Sequence, residues 1–181
     1  MTYRLPFLAL AFCLVFLAAC GGDTDSRPAP TAVQEPDEAP ATTAPADEPA
    51  VDFDGPAFEM TMTPVGNQML FEQTEFTVQP GQTVRITFEN TATTPAMTHN
   101  VVFLRTRDDI DPVGQAALTA ADNEYIPASE MNRILAYTPL AEPGETVTVE
   151  FTAPSTPGDY PYICTFPGHY MMMQGTMTVA S

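Results

Sequence analysis

The chain of 181 residues contains no lysine, and six arginines stand against 23 aspartates and glutamates for a net charge of −17. With no basic footprint there is nothing to neutralise a phosphate backbone, so nucleic acid is excluded as a partner. Cysteine is scarce at three residues, and histidine scarcer at two. No paired-cysteine spacing of the kind that builds structural zinc or iron–sulfur sites is present. The N-terminal apolar run, about Leu5 to Ala18, is too short and too poorly flanked for a comfortable membrane-spanning helix.

That run suits the h-region of an export signal. It follows a short n-region with Arg4 and ends in LAAC, Leu17 to Cys20, before Gly21 and Gly22. The motif resembles a bacterial lipobox, in which cleavage before the cysteine leaves a lipid-modified N-terminus. Residues 1–19 are therefore expected to be a lipoprotein signal peptide and Cys20 the lipidation site. Each buried acyl methylene contributes about 0.8 kcal/mol, so a multiply acylated cysteine is a stable anchor. Residues 20–52 interleave Pro28, Pro30, Pro36, Pro40, Pro45 and Pro49 with Ala, Thr, Asp and Glu. Such a segment cannot bury enough apolar surface to offset its ordering entropy, which predicts a disordered, partly polyproline tether reaching roughly 90 Å when extended. Removing the signal removes Arg4, so five arginines against 23 acids leave a mature charge of −18. That acidity serves a basic partner or solubility in a saline habitat, and composition does not separate the two.

Residues 53–181 form one domain of ordinary size. FEMTMT (58–63), FTVQ (76–79), TVRITFE (83–89) and TVTVEF (146–151) alternate apolar with polar residues, and NVVFL, YPYIC and GTMTV complete a set of strands. Pro-Gly pairs in QPGQ, EPGE and TPGD supply tight reversals between them. The pattern predicts an all-β fold, a Greek-key β-sandwich or barrel. One segment departs from it: DPVGQAALTAADNEY, 111–125, has helical composition and reads as a short helical flap outside the sandwich.

The scarce residues gather in one place. Cys13 leaves with the signal and Cys20 is assigned to lipid, so Cys164 is the only thiol of the domain and no disulfide is available to it. An unpaired thiol in an oxidising envelope is a liability unless it is buried or coordinated. In CTFPGHYMMMQG, His169 follows Cys164 by five positions and Met173 follows His169 by four. The intervening FPG is a turn that brings a strand-end thiolate and a loop imidazole together. The domain's other histidine, His99 in MTHNVVF, opens an apolar strand. Two imidazoles, a thiolate and a weak axial thioether match a trigonal blue-copper site. Taken singly, each of these residues is as readily a core or hydrogen-bonded one.

CTFPGHYMMMQGTMTV resembles the copper-binding C-terminal loop of azurins and the membrane-tethered auracyanins, within the cupredoxin family. MTHNVVFL resembles the segment that carries the first histidine ligand there. GNQMLF (66–71) resembles an early azurin strand, and ILAYTPLAEPGETVTVEF the strands before the loop. The resemblance implies His99, Cys164 and His169 as equatorial copper ligands with Met173 axial, Met171 and Met172 competing for that last role. Azurins place a glycine before the first histidine, with its carbonyl near copper, where this chain has Thr98. Asn100 is expected to hold the ligand loops together and, with the Phe166 amide, to hydrogen-bond the thiolate sulfur.

A site whose positions are all filled by protein leaves no opening for substrate, which argues against an enzyme. The implied function is one-electron transfer through copper cycling between Cu(I) and Cu(II), in a lipid-anchored monomer facing the periplasm or exterior. Partners would be c-type cytochromes or membrane electron-transfer complexes. Copper resistance, storage or delivery is the other reading, served by the thioethers of the YMMM run. The resemblance places His169 at the domain's end, ringed by Met69, Met97, Phe166, Pro167, Met171 and Met172 as a partner patch. Burial of these methionines as core filler is the competing expectation.

Overall fold

Alternation along the strands decides which faces are covered. The computed structural model describes residues 53–181. The expected signal peptide, Cys20 and the tether lie outside the described residues. In the strand Thr83–Glu89, Val84, Ile86 and Phe88 are buried while Thr83, Arg85 and Glu89 face solvent. The strand Thr146–Thr152 pairs with it antiparallel, setting Phe151 against Val84 and Val149 against Ile86. Numbered in chain order, the strands are β1 (Phe58–Met62), β2 (Glu75–Val78), β3 (Thr83–Glu89), β4 (Val102–Leu104), β5 (Ile134–Tyr137), β6 (Thr146–Thr152), β7 (Gly158–Ile163) and β8 (Gln174–Val179). They form one sheet of order β1-β3-β6 and another of order β2-β8-β7-β4-β5. Both are mixed, because β1 runs parallel to β3 and β2 parallel to β8. The result is a β-sandwich of two mixed sheets, as expected.

Between the sheets lie Met62, Phe71, Phe88, Phe103, Phe151, Tyr162 and Met177. Phe71, Phe88 and Phe103 are essentially sealed from water, and each such side chain contributes about 1.5–3 kcal/mol of transfer free energy. The Tyr162 hydroxyl reaches the edge of this core and donates to the Gln73 carbonyl at 2.6 Å.

The segment from Arg107 to Arg133 forms the flap. It holds α1 (Ile110–Ala117), a single-turn helix before it, and a single-turn and a two-turn helix after it. Helix α1 turns Ile110, Val113 and Ala117 inward, and a second apolar cluster joins Ile110 and Val113 to Val102, Leu104, Ile126, Ile134 and Ile163. The flap therefore covers the outer face of β7-β4-β5. Buried Asp109 fastens its two ends: it accepts from the Thr106 amide and hydroxyl and pairs with Arg133 at 2.5 Å.

One expected strand is not a strand. GNQMLF lies in a loop, where Val65 N–H donates to the Leu70 carbonyl at 2.9 Å and only Pro64 and Phe71 make an isolated bridge. Pro64 has no N–H to extend a ladder. Asn67 instead ties the loop sideways to Thr93, at 2.8 and 3.0 Å. The resulting loop faces the same end of the sandwich as the residues described next.

Candidate metal centre

Register brings the scarce residues together. Parallel β1 and β3 end side by side, with Met62 opposite Phe88. At that same end β7 finishes at Ile163, opposite Val102 at the start of β4 and Gln174 at the start of β8. Loops 63–74, 90–101 and 164–173 must therefore crowd one end of the sandwich.

Cys164 continues the β7–β8 ladder by one bond, its N–H donating to the Met173 carbonyl at 3.1 Å. The chain then reverses through Phe166-Pro167-Gly168-His169, and the His169 N–H closes the turn on the Phe166 carbonyl at 3.0 Å. Pro167 supplies the fixed φ of the second position and Gly168, at φ +85°, the left-handed third, the chemistry of a type II turn. The Met172 and Met173 amides cap the His169 carbonyl at 3.0 and 2.8 Å. His99 arrives just ahead of β4, the strand beside β7, exchanging two backbone hydrogen bonds with Ala141.

The outcome is a triangle of donor atoms. His99 Nδ1 and His169 Nδ1 lie 3.1 Å apart, and the Cys164 sulfur lies 3.8 Å from the first and 3.6 Å from the second. All three residues are buried. A point about 2 Å from all three atoms lies within that triangle, and metal–nitrogen and metal–thiolate bonds run about 2.0–2.3 Å. The donor set and the spacing both fit a metal.

Burial adjusts the protons accordingly. It lowers the His99 pKa to about 4, with the neighbouring His169 charge adding to the shift, and it lowers His169 as well. Both rings are therefore neutral at neutral pH and present lone pairs. Burial pushes the Cys164 thiol up to about 12, opposed by backbone hydrogen bonds from Asn100 and Phe166. A metal bound here must displace that thiol proton, and the two amides then stabilise the sulfur's charge. The Asn100 side chain also joins the ligand loops: Nδ2 donates to Thr165 Oγ1 at 2.8 Å, and Oδ1 accepts from the Thr165 amide at 2.8 Å.

The remaining expected residues occupy distinct positions. Thr98 is half-buried and donates its hydroxyl to the Pro95 carbonyl at 3.2 Å. Met173 is sealed from solvent, whereas Met171 and Met172 are 70% and 61% exposed. Met69 is also exposed, while Met97, Phe166 and Pro167 are half-buried. The expectation that these methionines fill the core fails for Met69, Met171 and Met172.

Asn90 was missed by sequence reasoning. Only 1% exposed, it donates to the Met97 and Ala141 carbonyls, both at 2.8 Å, and accepts from Ala92 N–H. It thereby shapes the loop that delivers His99. An asparagine after a strand carries the signal of a surface turn, and nothing in sequence marks it as buried.

A cupredoxin sandwich that gathers two histidines and a cysteine at one end, above a buried methionine, defines a type 1 copper protein with a His2CysMet site. The profile of copper binding proteins of the plastocyanin/azurin family matches residues 58–180. The chain belongs to that family, whose members are electron carriers and not enzymes. It is 43% identical over 118 residues to auracyanin-A of Chloroflexus aurantiacus, covering 63% of this chain and 69% of that one. The solved structure of auracyanin A, a blue copper protein of that green thermophilic photosynthetic bacterium, superposes with a TM-score of 0.64 at 38% identity, over 69% of this chain and 100% of that one. Outer membrane protein H.8 of Neisseria gonorrhoeae is 36% identical over 97 residues, 52% of each chain.

Proposed function

We propose that the protein shuttles single electrons between redox partners of a bacterial envelope through copper held by His99, Cys164, His169 and Met173. The observation that carries this reading is the buried His99–Cys164–His169 triangle. Copper there supplies a one-electron couple that thiolate and imidazole donors accommodate in both oxidation states. The protein's part is to keep the donors fixed and dry.

Met173 would supply the weak thioether ligand. It is buried opposite Cys164 on the β7–β8 ladder, whereas Met171 and Met172 point their bulk to solvent. Met173→Leu is expected to keep the blue colour and raise the reduction potential, because Cu(II) loses more donation than Cu(I). Voltammetry of the three single Met→Leu variants checks this, and a larger shift at Met171 or Met172 contradicts it.

Electrons leave over His169. The second ring nitrogen of His99 is sealed and without a hydrogen-bond partner, and that of His169 is not so enclosed. The stretches 60–71, 90–104 and 160–181 contain no Asp, Glu, Lys or Arg, in a chain with 23 acids. Exposed Val65, Met69, Leu70, Met171 and Met172 make that end apolar, and Glu72, Glu124, Glu142 and Glu145 are exposed at its margin. An apolar patch with a charged rim suits a small, transient redox interface, the rim steering a basic partner such as a c-type cytochrome. Met172→Glu should slow transfer to such a partner by about tenfold, the rate equivalent of about 1.4 kcal/mol of lost docking. Stopped-flow rates across a salt series read this out. Rates equal to wild type remove the patch from the mechanism.

The membrane attachment is lipid on Cys20, and outer membrane protein H.8 among the relatives supports an envelope location. Native protein should sediment with membranes and carry acyl mass on its N-terminal peptide, and Cys20→Ala should abolish both while leaving the copper site unchanged. A wild-type protein wholly soluble and free of lipid contradicts the anchor.

A further inference from the structure

We infer that the flap is a clamp on the ligand loop, with Gly114 and Tyr125 as positioning residues that grip it on both sides of His169. The first grip is a close approach. A Cβ added at Gly114 of α1 would lie 2.4 Å from the Tyr170 ring, so the helix backbone sits directly on the residue after His169. The second is an aromatic chain. The Tyr125 ring stands edge-on to Phe166 at 5.3 Å and 74°, and Phe166 lies against His169 at 5.0 Å. Phe166 also gives its amide to the Cys164 sulfur.

Tyr125 reaches that place through backbone strain. Glu124 and Tyr125 are consecutive non-glycine residues in the left-handed region, at φ +51° and +60°. Such a pair persists only where its surroundings over-determine it, and it collects at functional sites. Here the surroundings are specific. Tyr125 N–H donates to the Ala120 carbonyl at 2.9 Å, Asn123 Nδ2 to the Ile126 carbonyl at 2.6 Å, and Leu140 N–H to Glu124 Oε2 at 3.1 Å. The flap itself is anchored on the β7-β4-β5 face and by Asp109–Arg133. A rigid outer element thus braces residues 166–170, which would otherwise be held mainly by their own turn and by Asn100 through Thr165. A ligand loop fixed before copper arrives keeps the donors in place when the copper charge changes.

The inference rests on the copper reading only for its electrochemical arm, so the decisive measurement uses the metal-free domain. Hydrogen exchange is followed at the His169, Met172 and Met173 amides in wild type, Tyr125→Gly, Tyr125→Phe and Gly114→Ala. Glycine accepts the left-handed backbone, so Tyr125→Gly removes the ring while relieving strain, and the fold is retained. The clamp requires at least tenfold faster exchange at these amides in Tyr125→Gly and Gly114→Ala, with β3 and β6 amides unchanged and Tyr125→Phe at wild-type values. The copper-loaded forms should show altered copper hyperfine splitting and a shifted potential in the same two variants. Exchange within twofold of wild type in folded Tyr125→Gly overturns the clamp, as does acceleration spread equally over β3 and β6. Should wild type take up no copper, the copper reading fails while the exchange result still decides the clamp.

Discussion

Replacing Cys164 with serine is expected to abolish the visible charge-transfer band and the reversible redox couple while leaving the sandwich folded. The thiolate is the only donor in the triangle whose charge-transfer transition gives intense colour, and Cys164 is the only cysteine among the described residues. Serine is slightly smaller, and its hydroxyl oxygen inherits the backbone hydrogen bonds from Asn100 and Phe166. Burial of that hydroxyl costs about 1–3 kcal/mol at most, well within a domain's stability. Copper affinity should fall by more than the roughly 10–100-fold that losing an outer-shell partner costs. Circular dichroism and a copper titration followed in the visible spectrum separate the two effects. A variant that keeps an intense band removes Cys164 from the site.

Asn100→Ala should be the most damaging change outside the donor atoms. It deletes one donated and one accepted bond that join the two ligand loops, and Thr165, 1% exposed, is left with an unpaired amide and hydroxyl. Two buried polar groups without partners cost about 2–4 kcal/mol together. Copper affinity should fall roughly 10–100-fold, since the donors no longer hold their spacing. Denaturation midpoints of the metal-free variant measure the first effect and competition with a chelator the second. An unchanged midpoint would mean that the loops are joined by something other than Asn100.

Much of this was legible because alternation and scarcity are strong signals. The period of two along Thr83–Glu89 and Thr146–Thr152 can be satisfied only by half-buried strands, and both are strands. One free thiol and two histidines leave few ways to build a metal site, and the structure brings those three residues together. The flap's helix was visible from composition, though it runs Ile110–Ala117 and not through Tyr125. What failed was set by contacts distant in sequence. The strand reading of GNQMLF rested on resemblance alone, and Asn67 is captured by Thr93, which no local pattern shows. Asn90 is buried by loops that arrive 51 residues later, and the grip of Tyr125 on Phe166 depends on strained backbone that sequence does not encode locally.

The most direct test of the copper-shuttle account is a stoichiometric copper titration of the purified domain with the visible spectrum and a voltammogram recorded on the same sample. One copper per chain, an intense thiolate-to-copper band and a single reversible one-electron wave are the predicted result. Several Cu(I) ions per chain with no intense band and no reversible wave would contradict it and favour copper storage or delivery.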